Sequence, residues 1–140
     1  MRLAEKEIFE GIPSKIDTNR TLQLIKSGQS TRKYFGMLKT LTNEDDEEIS
    51  DWLDISVKTF RSYKNTQKVT KSALTEHVIM LISLFKHGQE IFGSYLDFKG
   101  WLGKENYYFE RRSPIQFMDS ISGIKFIDDR LTAMEFGDNA

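Results

Sequence analysis

The run Val78-Ile79-Met80-Leu81-Ile82-Ser83-Leu84-Phe85 is apolar at every position except Ser83. Within the longer stretch Ser72–Phe92, it gives a helix no polar side to turn toward water, so the helix must be surrounded. Either the other helices of the chain enclose it, or a second protein chain covers part of it. A bilayer is a poor alternative, because Glu76, Lys86 and His87 flank the run closely and a spanning helix needs about 20 apolar residues. The chain is therefore expected to be a helical body built around one central element, with no membrane partner.

The remaining sequence agrees with an all-α class. Pro13 and Pro114 are the only prolines, and the apolar spacing follows the helical period far more often than strict alternation. Thr18–Lys26 reads as a short helix stopped by Ser27-Gly28, and Ser30–Leu41 as a second. Thr42, with Asp45 three residues on, is placed to cap a third. Asn65–Thr70 reads as a polar connection, after which Ser72–Phe92 is the longest helix, ended by Gly93. Ser94–Leu102 follows. Gly103–Arg112 is irregular, with Tyr107, Tyr108 and Phe109 beside Arg111 and Arg112; this loop is either packed over the core or offered to a partner. Ser113-Pro114 signals another helix start. Ile121, Ile124, Ile127, Leu131 and Met134 then recur at three or four residues and define an amphipathic last helix. At 140 residues the chain is one domain, or two small units sharing a core. It divides into an extension at 1–17, a region at 18–71 and a C-terminal helical region at 72–140.

The middle region carries the clearest functional pattern. Between Asp46 and Asn65 apolar residues fall at Ile49, Leu53, Ile55, Phe60 and Tyr63, among others, the spacing of a helix-turn-helix: one short helix, a sharp turn and a second helix. Ser50 is small where the helices would cross. Asp54 stands at the turn, where a left-handed backbone is common and Asp tolerates it better than most residues. Ser56 is placed to cap the second helix. Ser56, Lys58, Thr59, Arg61, Ser62 and Lys64 then face outward, with side chains suited to phosphates and base edges, which makes operator DNA a candidate partner. Charge is segregated to match. Lys58, Arg61, Lys64, Lys68 and Lys71 lie between Ile55 and Thr75 without an acid, whereas Glu44–Asp54 carries seven acids and no base. The net charge of -1 conceals this. The acidic run reads as solvated charge at a helix N-terminus, and its proximity to phosphates predicts modest, salt-sensitive DNA affinity. A single such helix reads few base pairs, so a homodimer on a two-fold operator is expected, with the long apolar helix as candidate contact.

Other function classes find little support. With no cysteine and two histidines, His77 and His87, the chain offers no thiolate or structural zinc site. No phosphate-binding glycine loop, HExxH or Gly-x-Ser-x-Gly elbow occurs, so an enzyme is not expected and no cofactor is implied. The two histidines read as helix-surface or partly buried side chains. Asp128-Asp129 lacks the alternating ligands of a calcium loop. Met1–Glu10 carries four charges among its first seven residues and is no secretory signal, which points to the cytoplasm.

The order of the later motifs adds a resemblance. Phe92-Gly93, Trp101-Leu102, Ser113-Pro114 followed by Phe117-Met118-Asp119, and Gly123 followed by Ile127, Leu131 and Met134-Glu135-Phe136-Gly137 together resemble the Xre/MbcA/ParS family of bacterial antitoxins. The likeness spans roughly Thr18 to Gly137. Where the family usually has an Asn-Pro-containing turn, this chain has Lys104-Glu105-Asn106-Tyr107-Tyr108-Phe109. The resemblance implies a cognate toxin, typically a RES-type or related enzyme that consumes NAD or transfers ADP-ribose, whose active site the C-terminal unit covers. It also implies repression of the antitoxin's own operon. Tyr107, Tyr108, Phe109, Arg111 and Arg112 of the loop are then the candidate toxin contacts, together with Phe136, Gly137 and Asp138 of a tail able to reach into a cleft. A stand-alone helix-turn-helix regulator is the alternative.

Overall fold

The computed structural model describes residues 3–65 and 71–140. Part of the expected Asn65–Thr70 connection, and Lys68 with it, lies outside the described residues. Eight α-helices and no strands are present among them: α1 Leu3–Glu10, α2 Thr18–Lys26, α3 Thr31–Thr42, α4 Asp46–Trp52, α5 Val57–Lys64, α6 Ser72–Phe92, α7 Tyr95–Leu102 and α8 Ile121–Glu135. Single 3-10 turns at Tyr107–Phe109 and Pro114–Phe117 connect α7 to α8. The all-α class is as expected.

The chain itself encloses α6. Every residue from Val78 to Phe85 is at most 3% exposed, with α2 and α3 against one part of the helix and α7 and α8 against another. Each large apolar side chain so buried contributes about 1.5–3 kcal/mol. The middle of the candidate dimer-contact helix Ser72–Phe92 therefore has no surface left for a second copy, while Ser72, Ala73 and Glu90 near its ends are exposed. Gly93, at φ +85°, stops the helix in the left-handed conformation that glycine adopts without strain.

Two glycines admit close approach between elements. A Cβ on Gly88 would lie 2.2 Å from the Phe98 ring of α7, and one on Gly123 would lie 1.8 Å from the Phe117 carbonyl oxygen. The first neighbour is a side chain; the second is backbone, which cannot turn aside.

The segment before α2 also reaches this core. Ile12 is 1% exposed. Lys86 of α6 donates to the Ile12 carbonyl at 2.7 Å and to that of Phe9, and its ammonium stands 4.0 Å from the centre of the Phe9 ring. Further along, the cap of α4 differs from expectation. Thr42 belongs to the last turn of α3, where its hydroxyl donates to the Leu38 carbonyl. Asp45 takes the cap instead, accepting from the Glu48 amide at 2.8 Å.

Both histidines are buried and bonded. His77 Nε2 lies 3.0 Å from the Met118 carbonyl oxygen. His87, fully enclosed, places Nδ1 2.7 Å from Asp128 Oδ1 and Nε2 against Glu135 Oε1. Lys15 pairs with Glu135 at 3.1 Å, and the Ile16 amide approaches Asp128 Oδ2 at 3.5 Å. A chain of charges thus joins the N-terminal segment, α6 and α8. Burial opposes the imidazolium, but the hydrogen bonds and charges of Asp128 and Glu135 outweigh it and raise the His87 pKa. The hydrogen bond from His87, then that from Lys15, lowers Glu135.

These shifts fix a pH dependence. A raised histidine stabilises fully below its unfolded value of about 6.5 and loses that contribution as pH rises through the folded value. The lowered Glu135 contributes above about 4.3 and loses its share as pH falls through its folded value. The melting temperature of the chain is therefore expected to fall more steeply above pH ~6.5 than that of His87→Gln, as read by circular dichroism melts across pH. Glycine substitutions should separate by what they meet. Gly123→Ala is expected to cost about 2–3 kcal/mol or more in urea denaturation. Gly36→Ala, whose Cβ meets nothing within 4 Å, should stabilise α3 by about 0.5–1 kcal/mol.

Candidate functional site

The unit formed by α4 and α5 has the expected local chemistry. Asp54 adopts φ +55°, and the Ile55 amide donates to the Ser50 carbonyl at 3.1 Å across the turn. Ser56 accepts from the Thr59 amide at 3.0 Å and donates to Thr59 Oγ1 at 2.9 Å, so the cap occupies both hydroxyl groups. Ile49, Ser50, Leu53 and Phe60 are buried, with the rings of Phe60 and Phe35 4.8 Å apart. Ile55 and Tyr63 are half-buried. Trp52, which the sequence pattern did not assign to the core, is buried too and lies 4.9 Å from the Phe85 ring of α6.

Of the six residues proposed to meet DNA, Ser56, Lys58, Arg61, Ser62 and Lys64 are exposed and Thr59 is half-buried. Two of the cations are engaged already. Arg61 Nε lies 3.2 Å from Asp46 Oδ2 and Lys64 Nζ 3.0 Å from Asp46 Oδ1. The Lys64 hydrogen bond, helped by Arg61, overcomes burial and holds the Asp46 carboxyl below the usual carboxylate range. Glu44 pairs with Lys99 of α7 at 2.6 Å. The acidic run is therefore in part an ion-pairing surface, which spacing within the run could not reveal because its partners lie 15 to 55 residues away.

The second candidate surface lies between α7 and α8. Asn106 organises the loop there: its backbone oxygen accepts from the Phe109 and Arg111 amides, its amide donates to the Arg112 carbonyl, and its side chain accepts from the Tyr108 amide, each at 3.0 Å. Glu110 and Arg111 both take left-handed φ values, +55° and +62°. Such values cost a non-glycine residue about 1–2 kcal/mol each. Arg111, Arg112 and Tyr107 emerge exposed, Tyr107 at 81%.

Phe109 requires a correction as a candidate contact. It is 1% exposed and packs edge-on against Trp101, Phe117 and Phe126 at 5.9, 5.3 and 4.9 Å. It serves as the anchor of the loop, because a phenyl ring with aromatic neighbours on several sides gains more from burial than from exposure. Tyr108 lies between the two roles. Its ring stacks 3.5 Å from the guanidinium carbon of Arg130.

The tail also differs from a free arm. After Gly137, at φ +96°, the Asp138 amide returns to the Ala133 carbonyl. Arg130 binds the Asp138 carboxylate at 2.9 Å and the Asn139 carbonyl. Trp101 Nε1 and Asn106 Nδ2 donate to the Ala140 oxygen at 3.3 and 3.0 Å. Asp138 is thus committed to Arg130, while Phe136 stands 83% exposed. Phe126, 44% exposed on α8, joins the surface although sequence reasoning passed over it. The available signal was an aromatic residue out of phase with the Ile124, Ile127 and Leu131 stripe.

Among the described residues, no group of three or more His, Asp or Glu side chains could hold a metal ion. No helix is long and apolar enough to cross a membrane. The division of the loop into anchor and tip has a direct consequence for stability. Phe109→Ala is expected to cost about 3–5 kcal/mol in denaturant unfolding, whereas Tyr107→Ala should stay within about 0.5 kcal/mol of the parent.

Comparison with curated proteins finds no match to the chain. Comparison with protein families finds one, and its limits coincide with structural features described above: it begins at His87 of the buried charge chain and ends at Gly137, where the tail turns back. Residues 87–137 match the family model of the antitoxin Xre/MbcA/ParS C-terminal toxin-binding domain.

Proposed function

We propose that the chain is the antitoxin of a bacterial toxin–antitoxin pair. It neutralises a cognate NAD-consuming toxin, RES-type or ADP-ribosyltransferase-like, by covering that enzyme's active site. The observation that carries this reading is the match of residues 87–137 to a toxin-binding domain, within which exposed aromatic and cationic side chains stand on the braced loop, on α8 and at its end. Tyr107, Phe126 and Phe136 supply apolar area, and Arg111 and Arg112 supply charge. Tyrosine and arginine are the residue types that most often dominate binding energy at protein interfaces. Tyr108 and Asp138 support this surface through Arg130. The chain acts as a binding protein in this reading and performs no chemistry of its own.

The same polypeptide represses its own operon through α5, with Lys58, Arg61, Ser62 and Lys64 directed at the duplex and a homodimer matching a two-fold operator. Exposure of those four side chains supports this. With the middle of α6 enclosed, a dimer contact on this helix is left to its ends, where Ser72, Ala73 and Glu90 are exposed. A stand-alone regulator would have no use for the C-terminal domain, so the family match favours the antitoxin.

Co-expression with the enzyme encoded in the adjacent reading frame tests the proposal. The intact chain should restore growth and cellular NAD, and Tyr107→Ala/Phe136→Ala should bind that enzyme roughly 30-fold more weakly, the loss typical of removing a dominant contact, with an unchanged melting temperature. Full rescue by the double variant would exclude this surface. Death of cells making both wild-type proteins would exclude the antitoxin function.

A further inference from the structure

The cations of α5 are unequal in their surroundings. Lys58 is exposed, whereas Arg61 and Lys64 converge on one carboxylate, Asp46, at 3.2 and 3.0 Å. The Asp46 side chain is only 17% exposed, while those of Arg61 and Lys64 remain 59% and 41% exposed. The carboxylate thus sits inward with two cations folded over it. It also lines a groove of about 490 Å³ beside α3 and α5, together with Arg32, Lys33, Lys39 and a second acid, Glu5 of α1. Bases from two helices outnumber the two acids there.

A carboxylate offers two adjacent anionic oxygens to Arg and Lys, as a backbone phosphate does, and charge-assisted bonds to either are of similar type. Two cations that share one carboxylate keep a single net positive charge between them, and each must loosen its pair with Asp46 to approach a phosphate. We propose that Asp46 is an internal counter-ion that competes with the DNA phosphate backbone for Arg61 and Lys64, and so sets the strength and salt dependence of duplex binding. This rests on the reading of α5 as a DNA-contacting helix.

The neighbouring acid supplies a control. Asp45 caps α4 through its side chain and is exposed, and Asn caps a helix about as well as Asp. Asp45→Asn therefore removes the same unit of charge from the same helix end without releasing the two bases. Asp46→Asn removes the charge that holds them.

The test is fluorescence anisotropy of the full chain on a labelled mixed-sequence duplex of roughly 30 base pairs, titrated between about 50 and 200 mM salt, where each added phosphate contact steepens the log–log slope by about 0.9. Asp46→Asn is expected to bind roughly three- to tenfold tighter, with a slope steeper by about one to two units, as for one or two added phosphate contacts. Asp45→Asn should gain less than half of that on a logarithmic scale. Adding Arg61→Ala and Lys64→Ala to Asp46→Asn should abolish the gain. Circular dichroism checks that each variant is folded, and Asp46→Ser replaces Asp46→Asn if the latter is not. Binding by the wild type with no gain from Asp46→Asn overturns the proposal. Equal gains from Asp45→Asn and Asp46→Asn overturn it too, as a net-charge effect. Absence of binding by every protein overturns the DNA reading and the competition with it.

Discussion

Enclosure of α6 is the constraint from which the rest of the architecture follows. A helix with apolar side chains around its whole circumference leaves no choice about where water may be, so every other element must supply part of a sheath. α2 and α3 cover one part and α7 and α8 another, and the N-terminal segment closes a remaining edge through Ile12 and Lys86. The α4–α5 unit reaches the same core through Trp52 and Phe60. The two candidate surfaces are thus mounted on one support. α5 rests on α3 and α4, of which α3 packs on α6 and α4 touches it through Trp52, and the loop after α7 lies between α7 and α8, which contact α6 directly. Division of the chain into units along its sequence does not interrupt the hydrophobic interior, which is continuous.

The charge chain through His87 shows how that continuity is fastened. An imidazole with a carboxylate at each nitrogen is satisfied only as the cation, and only when α8 lies in register with α6. Lys15 then extends the chain to the amino-terminal segment, so that α6, α8 and this segment are linked by ionic contacts in addition to apolar ones. A buried charge with partners removed is costly, and the network therefore disfavours arrangements in which any one element is displaced.

How much of this was legible in the sequence depended on the range of the interaction. The C-terminal ends of α2 and α6 were readable because Ser27-Gly28 and Gly93 act within a few residues of the helix they bound. The turn at Asp54 and the cap at Ser56 were readable for the same reason. The amphipathic stripe of α8 was visible as a period. Features that failed to show were long-range. Nothing near Phe109 distinguishes it from Tyr107 until Trp101, Phe117 and Phe126 are brought around it. Asp46 looks like one more acid in a solvated run until α5 folds back and sets Arg61 and Lys64 over it. His87 looks like a surface residue while Asp128 and Glu135 are more than forty positions away. Even Thr42 was misread by a local rule, since both Thr42 and Asp45 satisfy a capping pattern and only the end of α3 decides between them.

The loop after α7 separates what must stay constant from what is free to vary. Asn106 and Phe109 set its path, Glu110 and Arg111 hold its bend in left-handed conformations, and the side chains of Tyr107 and Arg112 project from it exposed. Substitutions at those tips change what the surface can grip while leaving the scaffold in place. Lineages carrying such a loop can therefore drift from one binding specificity to another through single replacements, each intermediate remaining folded, and duplicated gene pairs can become insulated from each other without passing through an unfolded ancestor.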